Sequence, residues 1–455
     1  MKVKNALVKG ILAIVMLVVG MLLVTELKLP ERQFDPGKNT ITVSAVAADE
    51  RKEEKTSTTS QLYAHAAVLM DGSNGRILIG KNETEPLPMA STTKIMTCIL
   101  VLENGNTEDM IPVSAYASAQ PKVHLGVKKG EYYKVQDLLY SLMLESHNDT
   151  AVILAEYYGS KWNGQNGDCA AHSDEESKRA VEAFARKMNE KAISIGCKNT
   201  FFVTPNGLDG TVMVEEEGQR TEKAHATTAA DLALLMKYCA WDSPAARQFL
   251  EITQTDCYTF SNRVLTEGGK KFGTGSRTFT CSNHNAFLQM MEGMVSGKTG
   301  YTGKAGYCYV GALERDQKKY TIALLACGWP SHKSWKWEDS KVLLEYGLEN
   351  YQIQDIFREE ASVPVSVENG QVKEVDVCVK KVPIALLLEK GDRIQIKMKL
   401  PEKIAAPVEH GQKIGEQKYY VNGELYTTLP VVAVHEVLRI DYVFCLKKLL
   451  KMIVL

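Results

Sequence analysis

Apolar and polar positions alternate along the chain in a way that divides it into a helical middle framed by strands. Two short apolar runs, residues 66–70 and 76–80, flank the turn sequence DGSNG and predict a β-hairpin. Further strands are predicted over 294–298, 306–313 and 320–327. Because early and late strands surround the helices, we expect one sheet built from distant segments. Apolar residues at helical spacing predict helices over 91–103, 135–145, 149–158, 175–195, 228–240 and 337–350.

A second pattern begins near residue 362 and continues to 437. Short alternating runs are separated by glycines, which predicts a small all-β domain. The fold class is therefore α+β. The predicted domains are a signal peptide or anchor (1–47), a linker (48–60), a main domain (61–356), the all-β domain (357–437) and a C-terminal amphipathic helix (438–455).

Both ends of the chain carry features of an exported protein. Lysines 2, 4 and 9 precede an apolar run over residues 11–24, which fits a secretory signal and is shorter than the ~20 residues that span a bilayer. The sequence AVA at 45–47 predicts cleavage before Ala48, and the long gap before it leaves an uncleaved anchor as the alternative.

The C-terminal segment DYVFCLKKLLKMIVL places Lys447, Lys448 and Lys451 on one side of a helical wheel and apolar residues on the rest. A basic amphipathic helix of this kind lies in a membrane interface. The alternative is a terminal helix packed on its own domain.

Composition excludes several classes of protein. The chain has 54 Lys and Arg residues against 55 Asp and Glu residues, so it lacks the basic field that nucleic-acid binding requires. Its ten cysteines form no CxxC pair and no recognisable Cys/His ligand spacing, so we expect no zinc ribbon, no thioredoxin-type chemistry and no metal site. Export would allow the disulfides Cys169–Cys197 or Cys257–Cys281.

A serine and a lysine lie one helical turn apart at the start of a predicted helix, in the sequence Ser91-Thr92-Thr93-Lys94. A serine hydroxyl becomes nucleophilic when a base removes its proton, and a lysine can be that base if burial or a second cation lowers its pKa. Lys298 is a candidate second cation. An isolated match of this kind favours a capping serine and a surface lysine.

The motif Ser146-His147-Asn148 follows an apolar helix. The Ser146 hydroxyl can relay a proton, and the Asn148 amide offers a donor and an acceptor to a substrate. Taken alone, the motif is equally typical of an ordinary helix connection with a capping residue.

The third motif is Lys298-Thr299-Gly300, followed by Tyr301, on a predicted strand. An exposed strand edge can bind an extended substrate by strand addition, with Lys298 and Thr299 binding a terminal carboxylate and Gly300 allowing close approach. The Tyr301 N–H is placed to donate to an oxyanion.

The three motifs occur in one order, separated by 55 and 152 residues, beside the segments PMASTTKIMT, LLYSLMLESHNDTAVILAE, NTFFVTPNGLDG and GKTGYTGKAGY. With these features the chain resembles low-molecular-mass penicillin-binding proteins, which are serine-type D-alanyl-D-alanine carboxypeptidases. The resemblance covers nearly the whole chain. It implies a β-lactamase/transpeptidase-like domain, in which helices flank an antiparallel sheet.

The resemblance also implies roles for the motif residues. Neutral Lys94 accepts the Ser91 proton, and Ser91 attacks the penultimate D-Ala of a peptidoglycan stem peptide. The partners that it implies are that peptide, β-lactams as inhibitors and a membrane surface. It implies no cofactor and no metal, and it implies that the protein acts outside the cytoplasm. The remaining assignments are Ser146 as proton relay, Asn148 as substrate-orienting amide, Lys298 and Thr299 as carboxylate-binding groups, and the Ser91 and Tyr301 N–H groups as oxyanion donors.

Two departures from the family pattern leave alternatives open. His147 stands where the family usually has glycine, and it either alters the site or is a solvent-facing loop residue. Residues 159–173 read as an inserted polar loop. A β-lactamase is one alternative, although Glu145 and Glu156 form no recognisable pattern for its deacylating glutamate. A non-catalytic wall-binding protein is the other.

Overall fold

The computed structural model describes residues 41–42, 55–164, 169–216, 218–266, 271–358 and 364–453. The chain forms two compact units. The larger comprises Val46–Asp355 and Ile384–Gly391, and the smaller comprises Ile356–Pro383 and Asp392–Leu455 together with Met1–Ala45. The predicted leader lies outside the described residues, except that Ile41–Thr42 form strand β1 of the smaller unit.

The strands of the larger unit are numbered onward from β1 in chain order: β2 (Ala66–Asp71), β3 (Ile77–Lys81), β4 (Met110–Pro112), β5 (Tyr132–Lys134), β6 (Thr211–Glu216), β7 (Gln219–Ala224), β8 (Cys257–Leu265), β9 (Phe272–Ser282), β10 (Met294–Thr302), β11 (Gly306–Arg315), β12 (Lys318–Leu325), β13 (Tyr351–Asp355) and β17 (Ala385–Glu389). Its main sheet has the order β10-β11-β12-β2-β3 and is antiparallel. The early β2–β3 hairpin therefore pairs with the late strand β12, as the sequence predicts, and β10 lies at the edge.

The helices of the larger unit are α1 (Lys94–Asn104), α2 (Ala115–Ser118), α3 (Val135–Leu144), α4 (Asn148–Trp162), α5 (Asp174–Ile195), α6 (Ala229–Lys237), α7 (Ala246–Gln254), α8 (Phe287–Met290) and α9 (Trp335–Asn350), with 3-10 turns at Ala90–Thr93 and Cys169–Ala171 and a π turn at Tyr238–Asp242. They cover both faces of the main sheet. Val68 of β2 belongs to the core that includes α1, whereas its neighbour Leu69 packs with Leu343 of α9 on the other face. Alternate residues of a strand point to opposite faces, so β2 is buried on both sides.

The smaller unit contains β14 (Val365–Glu368), β15 (Glu374–Val375), β16 (Val377–Val379), β18 (Ile394–Lys399), β19 (Lys403–Ala405), β20 (Lys413–Val421), β21 (Glu424–Ala433) and helix α10 (Tyr442–Ile453). Its sheets have the orders β1-β18-β20-β21-β16 and β15-β14-β19. A valine-rich core fills this all-β unit.

The segment 159–173 is not one loop, contrary to the sequence-based prediction. Helix α4 continues to Trp162, and a 3-10 turn begins at Cys169. Gly159 is a packing residue, because a Cβ there would lie 1.9 Å from the Ala180 carbonyl oxygen of α5. A glycine that lets two helices approach closely has the same sequence signature as a turn glycine.

Neither candidate disulfide is formed. Cys257 and Cys281 are free thiols on opposite faces of the β8–β9 ribbon, since Cys257 pairs with Ser282 and is exposed, whereas Cys281 is buried. Side chains on opposite faces cannot reach each other. Cys197 is also a free thiol.

Candidate active site

The Ser91 hydroxyl lies on a tight 3-10 turn at the entrance to α1. The preceding Ala90 has a left-handed backbone (φ +48°), and its carbonyl accepts a hydrogen bond from Thr93 Oγ1 at 2.8 Å. Lys94 begins α1 one turn after Ser91, and its Nζ lies 2.8 Å from Ser91 Oγ. The spacing predicted from the sequence therefore brings the alcohol and the amine into direct contact.

Lys94 is fully buried, and its amine makes three polar contacts. Besides Ser91 Oγ, Nζ contacts Asn148 Oδ1 at 2.9 Å and the Asn206 carbonyl oxygen at 2.5 Å. Burial, followed by repulsion from Lys298, holds the pKa of Lys94 well below its ordinary value of 10.5. A neutral amine has two N–H donors and one lone pair. With both carbonyl oxygens taking the donors, the lone pair is left for the Ser91 hydroxyl.

Asn148 begins α4 and is held from both its backbone and its side chain. Its N–H donates to the Val123 carbonyl at 2.8 Å, and Nδ2 donates to the Pro121 carbonyl at 3.2 Å. The buried carboxylate of the next residue, Asp149, accepts the Gly126 N–H at 2.8 Å and so fixes the same loop to the helix start. Carboxylates at a helix N-terminus are favourable there.

Ser146 and His147 differ in what they contact. Ser146 has a left-handed backbone (φ +66°), and its buried Oγ has no hydrogen-bond partner among the described residues. His147 is half-buried rather than solvent-facing, and its Nδ1 contacts Ser141 Oγ of α3 at 2.8 Å. Burial lowers the pKa of His147. His147 thus connects α3 to the start of α4, whereas the Ser146 hydroxyl is available for a hydrogen bond to a substrate.

The third motif lies on the edge strand β10, against the nucleophile turn. A Cβ on Gly300 would lie 2.9 Å from the Ser91 nitrogen, so only glycine allows this approach. Lys298 is 3% exposed, its Nζ contacts the Thr299 carbonyl at 3.1 Å, and burial lowers its pKa to about 7. Thr299 is half-buried, whereas Tyr301 is exposed.

Three further residues support the site, and the sequence motifs did not single them out. Asn206 supplies the carbonyl that accepts from Lys94. Gly207 has φ +87°, and a Cβ there would lie 1.9 Å from the Ala90 carbonyl oxygen. The segment NTFFVTPNGLDG contains both residues, and its Pro-Asn-Gly step was the available signal.

His225 is the third supporting residue. Its Nδ1 accepts the Val203 N–H at 2.9 Å, which leaves the proton on Nε2 to donate to Thr93 Oγ1 at 2.8 Å. Burial, with a smaller effect from Lys94, lowers the pKa of His225 to about 3, so the ring is neutral. The chain from His225 through Thr93 to the Ala90 carbonyl stabilises the strained turn before Ser91.

The two glutamates considered for a β-lactamase have other partners. Glu145 pairs with His284 at 3.1 Å and accepts the Ser282 N–H at 2.8 Å. Glu156 accepts hydrogen bonds from Ser114 and from Ser177. The described contacts of both carboxylates therefore lie away from Ser91. The groups that do meet at the site, the Ser91 hydroxyl and the Lys94 amine, are those required for serine acyl transfer with an amine as the base.

Comparison with known proteins agrees with this geometry. The family model described as D-alanyl-D-alanine carboxypeptidase matches residues 52–326, and the model for the C-terminal domain of penicillin-binding protein 5 matches residues 351–439. The chain is 26% identical to D-alanyl-D-alanine carboxypeptidase DacF of Bacillus subtilis over 395 residues, which is 85% of this chain and 88% of that protein.

Solved structures with a similar fold include penicillin-binding protein 5 from Haemophilus influenzae, with a TM-score of 0.60 and 22% identity over 83% of this chain and 98% of that one. The Streptomyces K15 DD-transpeptidase has a TM-score of 0.51 and 26% identity over 63% of this chain and 98% of that one. The sheet with flanking helices expected from the sequence is thus found in solved relatives.

Proposed function

The chain belongs to the D-alanyl-D-alanine carboxypeptidase family, and on this premise we propose that Ser91 carries the acyl-enzyme through which it removes the terminal D-Ala from peptidoglycan stem peptides. The contact set of Lys94 is the observation that carries this proposal. Its two carbonyl partners leave one lone pair facing Ser91 Oγ at 2.8 Å. A buried neutral amine in this position is a general base for the serine.

The acylation step follows from this arrangement. Lys94 accepts the Ser91 proton as Oγ attacks the carbonyl carbon of the penultimate D-Ala. The Ser91 and Tyr301 N–H groups stabilise the oxyanion. The proton passes through the Ser146 hydroxyl to the nitrogen of the leaving D-Ala, and the peptide C–N bond breaks. Water then attacks the ester and regenerates Ser91.

Substrate binding is assigned to the β10 edge and to Asn148. The buried Lys298 ammonium and the Thr299 hydroxyl bind the terminal carboxylate, since the described contacts of Lys298 Nζ include no acidic side chain. Gly300 lets an extended peptide run close to the nucleophile. Asn148 keeps its Oδ1 on Lys94 and orients the peptide amide beside it.

Replacing the nucleophile tests this assignment. We expect wild type to be labelled covalently by fluorescent penicillin and to release D-Ala from a peptide ending in D-Ala-D-Ala. Ser91→Ala abolishes both, whereas the exposed control Ser194→Ala on α5 retains both. D-Ala release at the normal rate by Ser91→Ala would show that another residue is the nucleophile.

The lifetime of the penicillin adduct separates this function from β-lactam hydrolysis. A class A β-lactamase uses a glutamate to direct water onto the acyl-enzyme, and Glu145 and Glu156 have other partners. We therefore expect the labelled Ser91 to persist after unbound penicillin is removed. Rapid loss of the label with release of hydrolysed penicillin would favour the β-lactamase.

We further propose that the enzyme acts outside the cytoplasm at a membrane surface, in cell-wall remodelling. None of the described helices is long and apolar enough to cross a bilayer. Helix α10 has no buried residue, although its sequence is largely apolar, and it carries Lys447, Lys448 and Lys451. A largely exposed basic amphipathic helix fits the interface of an anionic membrane.

Vesicle sedimentation tests the role of α10. We expect the full chain to sediment with phosphatidylglycerol vesicles and to be released by salt, and a variant ending before Tyr442 to stay in solution. Penicillin labelling of both proteins provides the folding control. Equal sedimentation of the two proteins would show that α10 does not bind the membrane.

A further inference from the structure

A cluster of three ligand-type side chains, two buried and one partly buried, lies in the larger unit, outside the catalytic machinery. It consists of Glu156 on α4, Cys169 on the 3-10 turn, and His172, which precedes α5. Their ligand atoms all lie within 4.8 Å of one another. Glu156 and Cys169 are each 1% exposed, and the His172 side chain is 11% exposed.

The distance between the His172 nitrogen and the Glu156 oxygen suits two ligands of one metal ion better than it suits a hydrogen bond. His172 Nδ1 lies 3.6 Å from Glu156 Oε1, which is too long for a hydrogen bond, and this buried nitrogen has no hydrogen-bond partner among the described residues. Tetrahedral zinc with bonds of about 2.0 Å to nitrogen and oxygen separates those two ligand atoms by about 3.3 Å. This nitrogen and this oxygen therefore need to approach each other by only a few tenths of an ångström to bind one ion.

Charge balance favours the same occupant. Glu156 is 1% exposed, and the Ser114 and Ser177 hydroxyls that donate hydrogen bonds to it carry no charge. One carboxylate, one thiolate and one neutral imidazole neutralise a divalent cation, and a neutral cluster is the form that burial tolerates. A sulfur, a nitrogen and an oxygen ligand together select zinc over the hard cations magnesium and calcium.

We propose that Glu156, Cys169 and His172 bind one Zn²⁺ ion, with a water molecule as the fourth ligand. Binding releases the thiol proton of Cys169 to solvent, and Cys169-x-x-His172 supplies two ligands from one short turn. The sequence analysis expected no metal site, and the third residue of this set, Glu156, lies on the preceding helix.

The surrounding residues position the carboxylate of this site. Ser114 Oγ donates to Glu156 Oε2 at 2.6 Å while accepting the Ala117 N–H as the cap of α2. Ser177 of α5 donates to Oε1. Such outer hydrogen bonds orient metal ligands and are worth ~10–100-fold in affinity. The ion would fasten the start of α5 to the middle of α4, the helix whose first residue, Asn148, contacts Lys94.

Cobalt and zinc titrations of the purified full chain test the site after dialysis against a chelator. With Co²⁺ we expect one equivalent per chain, with thiolate-to-metal charge-transfer absorption and the strong visible bands of tetrahedral cobalt. Zn²⁺ should displace the cobalt and raise the thermal unfolding midpoint. His172→Ala should weaken Zn²⁺ binding at least ~100-fold, since it removes a ligand rather than an outer partner, and Cys169→Ser should remove the charge-transfer band.

The controls separate this site from adventitious binding and from misfolding. Cys257→Ser changes an exposed thiol on β8 and should leave the cobalt spectrum and the zinc affinity unchanged. Penicillin labelling shows that each variant is folded, and His172→Ala, at the most exposed ligand, remains informative if Cys169→Ser does not fold. Failure of the wild type to bind zinc, or equal zinc affinity in wild type and His172→Ala, would overturn the proposal. Neither result would affect the assignment of Ser91.

Discussion

Replacing Lys298 by glutamine should weaken binding of the substrate carboxylate far more than it slows the chemical steps. Lys298 is 3% exposed, and burial lowers its pKa from 10.5 to about 7. That change corresponds to about 5 kcal/mol of destabilisation of the ammonium form. An arriving carboxylate can recover up to that amount, and the loss of one member of a buried charge pair costs about 2–5 kcal/mol.

The expected result is a rise of at least ~30-fold in KM for Lys298→Gln, with a smaller change in kcat. D-Ala release is measured with two peptides that differ only at the end, one with a free carboxylate and one with a carboxamide. Wild type should strongly prefer the free carboxylate, whereas the variant should treat the two alike. Circular dichroism and the unfolding midpoint show whether the variant is folded.

The pH dependence has a definite sign. Only protonated Lys298 binds the carboxylate, and in the free enzyme its pKa is about 7. Affinity is therefore full below pH 7 and falls above it, so that wild-type KM rises by up to about tenfold per pH unit. The variant should lack this rise. An unchanged KM in Lys298→Gln, or the same preference for the free carboxylate, would refute the carboxylate-binding role.

Two other substitutions test the support of the nucleophile turn. His225→Ala breaks the chain to Thr93 and should slow penicillin acylation by about tenfold or more, because Ser91 is held less accurately, while the far-ultraviolet circular dichroism stays native; an unchanged acylation rate would contradict this role. Gly207→Ala combines φ +87° with a contact of 1.9 Å to the Ala90 carbonyl oxygen, so we expect the free energy of unfolding to fall by about 2–4 kcal/mol in urea titrations. In the control Gly164→Ala, φ is also positive but a Cβ would meet nothing within 4 Å. Its loss of stability therefore measures the cost of the positive φ alone, and the extra loss in Gly207→Ala measures the steric clash.

Residues with short-range signals were predicted from the sequence. The one-turn spacing of Ser91 and Lys94 became a direct contact because a helix places residues i and i+3 on one face. The edge position of β10 was also expected, because a strand that carries Lys298 and Thr299 has polar side chains to present to a ligand. Both predictions needed only local geometry.

Residues that act through long-range contacts were not predicted individually. Asn206 contributes a backbone carbonyl, which every residue possesses, so its side-chain identity carries little information about that role. His225 reaches Thr93 only after the chain has folded back over more than one helix. Gly159 shows the converse problem, since a glycine needed for helix packing has the signature of a turn.

The two buried lysines must differ in protonation, with Lys94 neutral and Lys298 charged, although burial lowers the pKa of both. Burial, followed by repulsion from Lys298, lowers the pKa of Lys94 and so favours its neutral form. For Lys298, a substrate carboxylate supplies the missing counterion and so favours the ammonium form. A proton on Lys298 disfavours a second one on Lys94, because like charges in one low-dielectric site repel. Substrate binding thus favours the protonation pattern that the reaction requires, with the charge at the carboxylate and the free lone pair at Ser91.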